Sequence, residues 1–271
     1  MTNQTARFIG EIPEYYDCGL GPHYFVDYAK DLARRVAATN PTKVLEMAAG
    51  TGIATRMLRD ALPRTTELIA SDLNLPMLEI ARRKFSSEEA VQFVAADATE
   101  LEFPDAAFDA IVCQFGVMFF PDKDKSYREA FRTLKPGGHY IFNVWDSWEF
   151  NPSGRIAHET IASFFPDDPP SFYKIPYGYN AIDPVKASLL AAGFNQISAH
   201  VITIHKIVPK TEVLAKGLVL GNPVIQQIRD RGTVSPDEVL SAVTLALRKA
   251  FGDEPSSIPL QAIVFGARKP G

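Results

Sequence analysis

Residues 43–55 read KVLEMAAGTGIAT, and this stretch decides how the rest of the chain is interpreted. Val44, Leu45 and Met47 suit a buried parallel strand, which is typically a short apolar run. Residues 48–52 form a turn with almost no side chain, and apolar residues then recur at helical spacing. A turn of this kind at a helix N-terminus points backbone N–H groups at a ligand, and glycine lets that ligand approach closely.

The spacing of the small residues separates two kinds of nucleotide site. A dinucleotide site has the pattern G-x-G-x-x-G, and Thr55 stands here at the place of its third glycine. Glu46, Ala48, Gly50 and Gly52 instead give E-x-A-x-G-x-G, which resembles motif I of the class I S-adenosylmethionine-dependent methyltransferases. The alternative interpretation is an ordinary strand-to-helix turn that needs glycine.

Length and composition narrow the class of protein. The 271 residues include 46% hydrophobic residues, enough for a sizeable core, and carry a net charge of −4. That charge argues against nucleic acid or an anionic membrane as the main partner. The two cysteines fit no metal or disulfide pattern, so we expect no metal. With no signal peptide and no membrane span predicted, we expect a soluble, cytoplasmic protein.

Strands and helices alternate five times up to Asp146, which predicts a parallel sheet covered by helices on both faces. Glu46, Asp72 and Asp97 each close a predicted strand, the third of which spans residues 91–97. Ligands of such sheets bind beyond the carboxyl ends of the strands, so these three acids are expected at one site. The run at 134–138, LKPGG, is predicted to stop a helix before a fifth strand at 140–145.

The remaining chain is interpreted as additions to one methyltransferase domain spanning residues 1–271, with a donor-binding core at 40–146. Residues 1–24 are predicted to be a loose segment. Helical insertions at 148–182 and 206–257 are predicted to cover the carboxyl edge of the sheet and to build the acceptor site. The first insertion is rich in aromatic residues that suit an apolar pocket, or else hold the insertion to the sheet: Phe164, Phe165, Phe172, Tyr173, Tyr177 and Tyr179.

The core is similar to the ubiquinone/menaquinone C-methyltransferases, which tolerate a glutamate at the place of Glu46 and an alanine at the place of Ala48. The resemblance implies an α/β, Rossmann-like, doubly wound sheet of seven strands in the order 3-2-1-4-5-7-6, with the last strand antiparallel. It also implies a donor, S-adenosylmethionine, which leaves as S-adenosylhomocysteine. The N-terminal segment has no SxGxHRxW-like stretch of the kind expected in those quinone enzymes, so the acceptor stays open.

The resemblance assigns roles to residues of this sequence. Glu46, Ala48, Gly50 and Gly52 would hold the methionine part of the donor, and Asp72 would accept from both ribose hydroxyls. The remaining residues would contact the adenine, the transferred methyl group or the outside of the donor: Leu73, Met77, Asp97, Ala98, Gln114, Phe115 and Tyr16.

Several of these roles have a purely structural alternative. Asp72 and Asp97 suit helix caps, Leu73 and Met77 suit the core, Gln114 suits a satisfied polar group at a strand end, and Tyr16 suits a hydrophobic latch.

The sequence thus predicts transfer of a methyl group to a small, largely apolar or aromatic acceptor, by a monomer or a homodimer. His23 and His158 lie on segments expected to cover the pocket and are candidate general bases, although a lone histidine is more often structural. Two other functions stay open: a nicotinamide-dependent oxidoreductase, and a catalytically silent protein that binds the donor.

Overall fold

The computed structural model describes residues 7–271 of the chain. Ten α-helices occur in that part of the chain: α1 Ile12–Tyr15, α2 Val26–Ala37, α3 Ile53–Ala61, α4 Leu75–Arg82, α5 Lys123–Thr133, α6 Pro152–Ser163, α7 Ile182–Ala191, α8 Thr211–Leu220, α9 Val224–Arg231 and α10 Pro236–Phe251. The strands in the same residues are β1 Lys43–Met47, β2 Glu67–Asp72, β3 Val91–Ala95, β4 Phe108–Gln114, β5 Leu134–Trp145, β6 Asn195–Val208 and β7 Ser256–Arg268.

These strands form one sheet in the order β3-β2-β1-β4-β5-β7-β6, with the last strand antiparallel. This confirms the predicted fold. The first five strands are parallel, with Val44 of β1 opposite both Leu68 of β2 and Ala110 of β4. Val44, Leu68 and Ala110 are all buried, as expected of parallel strands whose two faces are covered. The carboxyl ends of β1, β2 and β4 therefore meet at one edge.

The chain divides into two compact units. The core unit comprises Val26–Val144, Asn180–Val201 and Ile263–Gly271. The insertion unit comprises the described residues up to Phe25, together with Trp145–Tyr179 and Ile202–Ala262. Most of both predicted insertions falls in the insertion unit, whereas residues 180–182 fall in the core unit. Residues 206–208 and 256–257 are not helical as predicted but belong to β6 and β7.

The prediction of a loose segment at residues 1–24 is wrong for the part that the structure describes. Helix α1 is followed by a π-helix, Tyr16–Phe25, which packs against α8. One of the glycines that suggested turns, Gly19, serves a close contact instead, because a Cβ on it would lie 2.5 Å from Gly217 Cα. Residues 1–6 of the predicted segment lie outside the described residues.

The predicted boundaries of two strands are also wrong. Strand β3 ends at Ala95, so Asp97 lies beyond it, and β5 begins at Leu134 rather than after the LKPGG run. The run is a bulge within β5: Phe108 pairs with Leu134, whereas Ala110 pairs with His139. Backbone pairing between β4 and β5 thus resumes after the bulge, and this long-range pairing is not visible in the local sequence.

The described residues contain no helix that combines the length and the apolar character needed to cross a bilayer.

Candidate active site

The loop between β1 and α3 adopts a conformation that only small residues take easily. Ala48, Gly50 and Gly52 have φ angles of 53°, 57° and 78°. A Cβ on Gly52 would lie 2.8 Å from Ala81 Cβ, so its glycine lets the loop pack on α4. Ala48 in turn packs closely on the turn after β4, where a Cβ on Gly116 would lie 2.5 Å from Ala48 Cβ. The loop is therefore held tightly from both neighbouring strands.

Asp72 ends β2 beside this loop and is 7% exposed. Its Oδ2 accepts the backbone N–H of Gly50 at 2.8 Å, and its Oδ1 accepts the backbone N–H of Asn74 at 2.7 Å. The N-cap residue of α4 is Asn74, not Asp72. Asp72 therefore does not cap the helix in the manner of the structural alternative. A carboxylate offers about four acceptor sites, so Asp72 can also accept from a bound hydroxyl.

Glu46 is the second buried acid of the site, with an exposed fraction of 1%. Its ionisation is affected by the charge of Asp72. Burial and, to a smaller extent, the nearby Asp72 raise the pKa of Glu46 to about 8, although the hydrogen bond from Thr55 opposes the rise. Thr55 Oγ1 donates to Glu46 Oε2 at 2.6 Å. Burial also raises the pKa of Asp72, against the backbone hydrogen bonds that it accepts. Two buried acids at one edge favour a ligand with positive charge or several N–H and O–H donors.

Three other features of this edge suit a bound nucleoside. Thr51 Oγ1 is buried in the loop and has no hydrogen-bond partner in residues 7–271, so it can pair with a polar group of a ligand. Leu73 is 62% exposed directly after Asp72, which is unusual for a leucine and excludes a core role. Met77 is buried, and its Cε would lie 3.4 Å from a Cβ on Gly50.

Asp97 and Ala98 sit beyond the end of β3. Asp97 is exposed, and its Oδ1 accepts both the backbone N–H and the Oγ1–H of Thr99 at 2.7 Å. It therefore stabilises its own turn and begins no helix. Ala98 is buried. The turn brings both residues to the same edge of the sheet as Asp72, because β2 and β3 run parallel with Asp72 opposite Ala95.

The turn after β4 depends on Asn143, a residue that sequence reasoning missed. Gln114 ends β4 opposite Asn143 of β5. Phe115 follows with a φ angle of 50°, and its backbone N–H donates to Asn143 Oδ1 at 2.9 Å. Asn143 is fully buried, and its Nδ2 has no hydrogen-bond partner in the described residues. No local pattern marks Asn143, because its role depends on a residue far away in sequence.

The remaining predicted site residues, Tyr16, His23 and His158, belong to the insertion unit. Tyr16 opens the π-helix and stacks on Phe25 with ring centroids 4.9 Å apart. His23 is buried, and its Nδ1 lies 2.8 Å from the carbonyl oxygen of Gly19. His158 packs edge-on against Trp148 with centroids 4.7 Å apart. Burial lowers the pKa of both histidines.

Five aromatic rings of the insertion unit, which we call the aromatic cluster, contact one another in a chain: Trp145, Trp148, His158, Tyr173 and Tyr177. Sequence reasoning identified Tyr173 and Tyr177 but missed both tryptophans. Two tyrosine hydroxyl groups lie at the edge of this cluster. Tyr24, whose ring contacts Trp145, has its Oη 2.6 Å from Ser153 Oγ, and Tyr173 Oη donates to the carbonyl oxygen of Leu218 at 2.6 Å. The described residues contain no group of His, Cys, Asp and Glu side chains that could hold a metal ion.

Comparison with known proteins places these features in context. A methyltransferase domain family matches residues 45–142. The chain is similar to a demethylmenaquinone methyltransferase of Thermus thermophilus, with 42% identity over 42% of this chain and 50% of that protein. It is also similar to a ubiquinone/menaquinone biosynthesis C-methyltransferase of Pasteurella multocida, with 30% identity over 60% of this chain and 68% of that protein. The match thus spans between half and about two thirds of these two relatives.

The fold is shared with a solved structure, phosphoethanolamine N-methyltransferase 2 of Haemonchus contortus in complex with phosphomonomethylethanolamine and S-adenosylhomocysteine. The TM-score is 0.60 and the identity 17%, over 96% of this chain and 57% of that chain. At this identity the likeness concerns the fold alone.

Proposed function

Because the chain belongs to the class I S-adenosylmethionine-dependent methyltransferases, we propose that it binds S-adenosylmethionine and methylates a small, largely apolar or aromatic acceptor. The observation that carries the proposal is the buried carboxylate of Asp72, held by the backbone N–H of Gly50 at 2.8 Å. This bond joins the loop of motif I to the end of the second strand, so both parts of a nucleoside site are arranged before a ligand arrives.

Different residues of the core unit bind different parts of the donor. Asp72 accepts from the ribose hydroxyls, while Leu73 and Met77 offer apolar surface to the adenine. Asp97 and the N–H of Ala98 bind the adenine edge. Glu46 and the loop hold the methionine part. Because the pKa of Glu46 is raised, its carboxyl group needs a cationic group beside it to favour the ionised form. The exposure of Leu73 supports this division, because a bound ring would cover it.

S-adenosylmethionine would supply a methyl group on its sulfonium: the acceptor atom would bond to the methyl carbon as the carbon–sulfur bond breaks in line, and S-adenosylhomocysteine would leave. The protein has to align the two reactants and exclude water. We assign Gln114 and Phe115, in the turn held by Asn143, to the surroundings of the methyl group. The left-handed conformation of Phe115 costs free energy, and such strain is common where a turn shapes a site.

We assign the acceptor to the aromatic cluster of the insertion unit. Trp145, Tyr173 and Tyr177 are buried, and Trp148 and His158 are half-buried, so the cluster offers apolar faces with one titratable edge. Planar apolar molecules stack on such faces. Two relatives of the chain have names that refer to quinones. A demethylated quinol is one planar, largely apolar acceptor that could stack on these rings.

The proposal also covers the proton that some acceptors lose. Burial lowers the pKa of His23 and of His158, as do the nearby Lys206 and Lys174 respectively. Both imidazoles are thus neutral at pH 7 and able to accept a proton. Either histidine can act as the general base for a hydroxyl acceptor.

Two measurements on the full chain test the proposal. Calorimetric titration with S-adenosylhomocysteine tests the donor site. A panel of demethylated quinols, phenols and small amines, followed by release of S-adenosylhomocysteine, tests the reaction. Binding with turnover of an aromatic member supports the proposal, and binding without turnover of any acceptor identifies a silent donor-binding protein. Absence of binding contradicts the donor assignment itself, and turnover restricted to nucleic acid or intact protein contradicts the acceptor class.

A further inference from the structure

A cavity of about 200 Å³ lies on one face of the sheet in the core unit, away from the motif I loop. It is formed where β5, β6 and β7 run side by side and α2 lies beside them. The polar residues that line it are Arg35, His139, Gln196, Ser198 and Arg268. His139 pairs with Ala110 early in β4, whereas the predicted donor site lies beyond the carboxyl end of that strand.

Gly266 creates the floor of this cavity. It lies on β7 among the lining residues, and a Cβ at this position would lie 2.9 Å from Ser198 Oγ. A side chain on the central strand would therefore occupy the space that the cavity now leaves open. Ser198 Oγ lies 3.5 Å from the carbonyl oxygen of Gly266 and is the nearest polar side-chain atom to this floor.

The charge of the lining is opposite to that of the whole protein. Among residues 7–271, Arg35 and Arg268 line the cavity and no acidic residue does, whereas the chain has a net charge of −4. Asp31 pairs with Arg35 but is not part of the lining. A concave site lined by charges of one sign attracts ions of the opposite sign.

Both arginines keep donors for a ligand. Arg35 Nε donates to Asp31 Oδ2 at 2.6 Å, and Arg268 Nε donates to the carbonyl oxygen of Gly137 at 3.2 Å. A guanidinium has five N–H donors, and these bonds each use one, so the terminal nitrogens of both side chains can bind another group. Two planar guanidinium groups on different elements suit the oxygens of a phosphate, which each can contact in bidentate fashion.

His139 adds an uncharged group to the same lining. Burial and the nearby Arg268 both lower the pKa of His139, so its imidazole is neutral at pH 7 and can donate or accept one hydrogen bond. Gln196, which has a φ angle of 48°, and Ser198 add further hydrogen-bonding groups on the β6 side. The lining thus combines two fixed cations with neutral groups that can satisfy a phosphate ester oxygen.

We propose that this cavity binds a small phosphate-bearing anion, either inorganic phosphate or a small phosphomonoester. The site is separate from the proposed donor and acceptor sites and does not depend on methyl transfer. A volume of about 200 Å³ leaves room for the phosphate group and a short organic substituent.

Isothermal titration calorimetry of the full chain tests the site with inorganic phosphate and with glycerol 3-phosphate. We expect saturable binding of at least one of them. A stronger interaction with glycerol 3-phosphate identifies a phosphomonoester site, and equal affinities identify a site for the phosphate group alone. No saturable binding of either compound overturns the proposal.

Four variants locate the binding. Arg35→Gln and Arg268→Gln each remove charged hydrogen bonds and should weaken binding roughly tenfold or more. Gly266→Ala fills the floor, displacing only the Ser198 hydroxyl, and should weaken binding as well. Arg34→Gln is the matched control, because Arg34 also pairs with Asp31 but does not line the cavity. If all four variants bind phosphate as tightly as the wild type does, the proposal is overturned. Thermal melts without phosphate verify that each variant is folded.

Discussion

The backbone N–H of Gly50 donates to Asp72 Oδ2 over 2.8 Å, joining the loop after β1 to the end of β2. The same carboxylate accepts from the backbone N–H of Asn74, so its position is defined from two sides. Holding a buried charge in this way costs free energy, as the raised pKa of Asp72 indicates. A ligand that donates further hydrogen bonds to this carboxylate would offset that cost.

Replacement of Asp72 is predicted to reduce donor affinity strongly. Asp72→Ala removes hydrogen bonds to two ribose hydroxyls, each worth roughly 1.5–3 kcal/mol. Since about 1.4 kcal/mol is a factor of ten, affinity for S-adenosylhomocysteine should fall about a hundredfold or more. Asp72→Asn should also lose affinity, and it should lower the melting temperature, because its amide NH₂ faces a backbone N–H. Calorimetric titration that finds unchanged affinity in both variants contradicts the donor assignment.

Asp109 provides a matched control at the other end of the sheet. Its carboxylate accepts the backbone N–H groups of Thr42 and Lys43 and pairs with Lys135, and these contacts lower its pKa to about 2 despite some burial. A lowered pKa stabilises the fold above the usual pKa, and this contribution is lost as pH falls towards 2. Asp109→Asn should reduce the free energy of unfolding at pH 7 by roughly 2 kcal/mol at most and leave donor affinity unchanged. Denaturant titrations at pH 7 and at about pH 3 should differ less in the variant than in the wild type.

Glu46 is predicted to make stability fall as pH rises. Its pKa is about 8 in the folded protein, against 4.5 ordinarily, so the folded state binds the proton more tightly than the unfolded state. Stability from this group is complete below about pH 4.5 and is lost as pH rises through 8. Glu46→Gln keeps an acceptor for Thr55 but cannot ionise, so its melting temperature should change less between pH 5 and pH 9. Parallel slopes in wild type and variant would show that Glu46 is ionised at neutral pH.

His158→Phe separates a catalytic role of His158 from its packing on Trp148. Phenylalanine preserves an edge-on ring contact but cannot accept a proton. For an acceptor that loses a proton, kcat should fall about a hundredfold or more, with little change in KM. The wild type should lose activity as pH falls through the lowered pKa of His158, below 6.5, and the variant should lack that dependence. His200→Phe, at an exposed position of β6, is the control, and equal kcat in all three proteins excludes His158 as the base.

Gly217→Ala is predicted to weaken the contact between α8 and the π-helix. A Cβ on Gly217 would lie 2.7 Å from the carbonyl carbon of Gly19 and 2.9 Å from Leu20 N, so backbone must move. Overpacking of this kind usually costs roughly 1–3 kcal/mol, and the free energy of unfolding should fall by that amount. Lys216→Ala changes the adjacent, partly exposed position on the same helix and should have little effect in the same denaturant titration. If the two variants are equally stable, the close approach of these backbones is not essential.

The strand, loop and helix around residues 43–61 could be predicted from sequence, because apolar periodicity and a glycine-rich turn are local properties. The placement of Asp72 at a strand end could be predicted for the same reason. Its hydrogen bonds could not, since they depend on Gly50 and on the turn at Asn74, and only these contacts distinguish a held carboxylate from a helix cap. The sheet order followed from the family resemblance rather than from any single pattern of residues.

By itself, the sequence determined the alternation of strands and helices, the small-residue loop after β1 and the acids near the strand ends, because each of these depends on neighbours a few residues away. Tertiary structure alone decided that Asn143 holds Phe115, that Gly19 meets Gly217, and that Arg35 and Arg268 line one cavity. These pairs are distant in the chain, and no periodicity connects them. They meet because parallel strands and packed helices bring remote segments together, and the free energy of such contacts depends on the shape and charge of both partners at once.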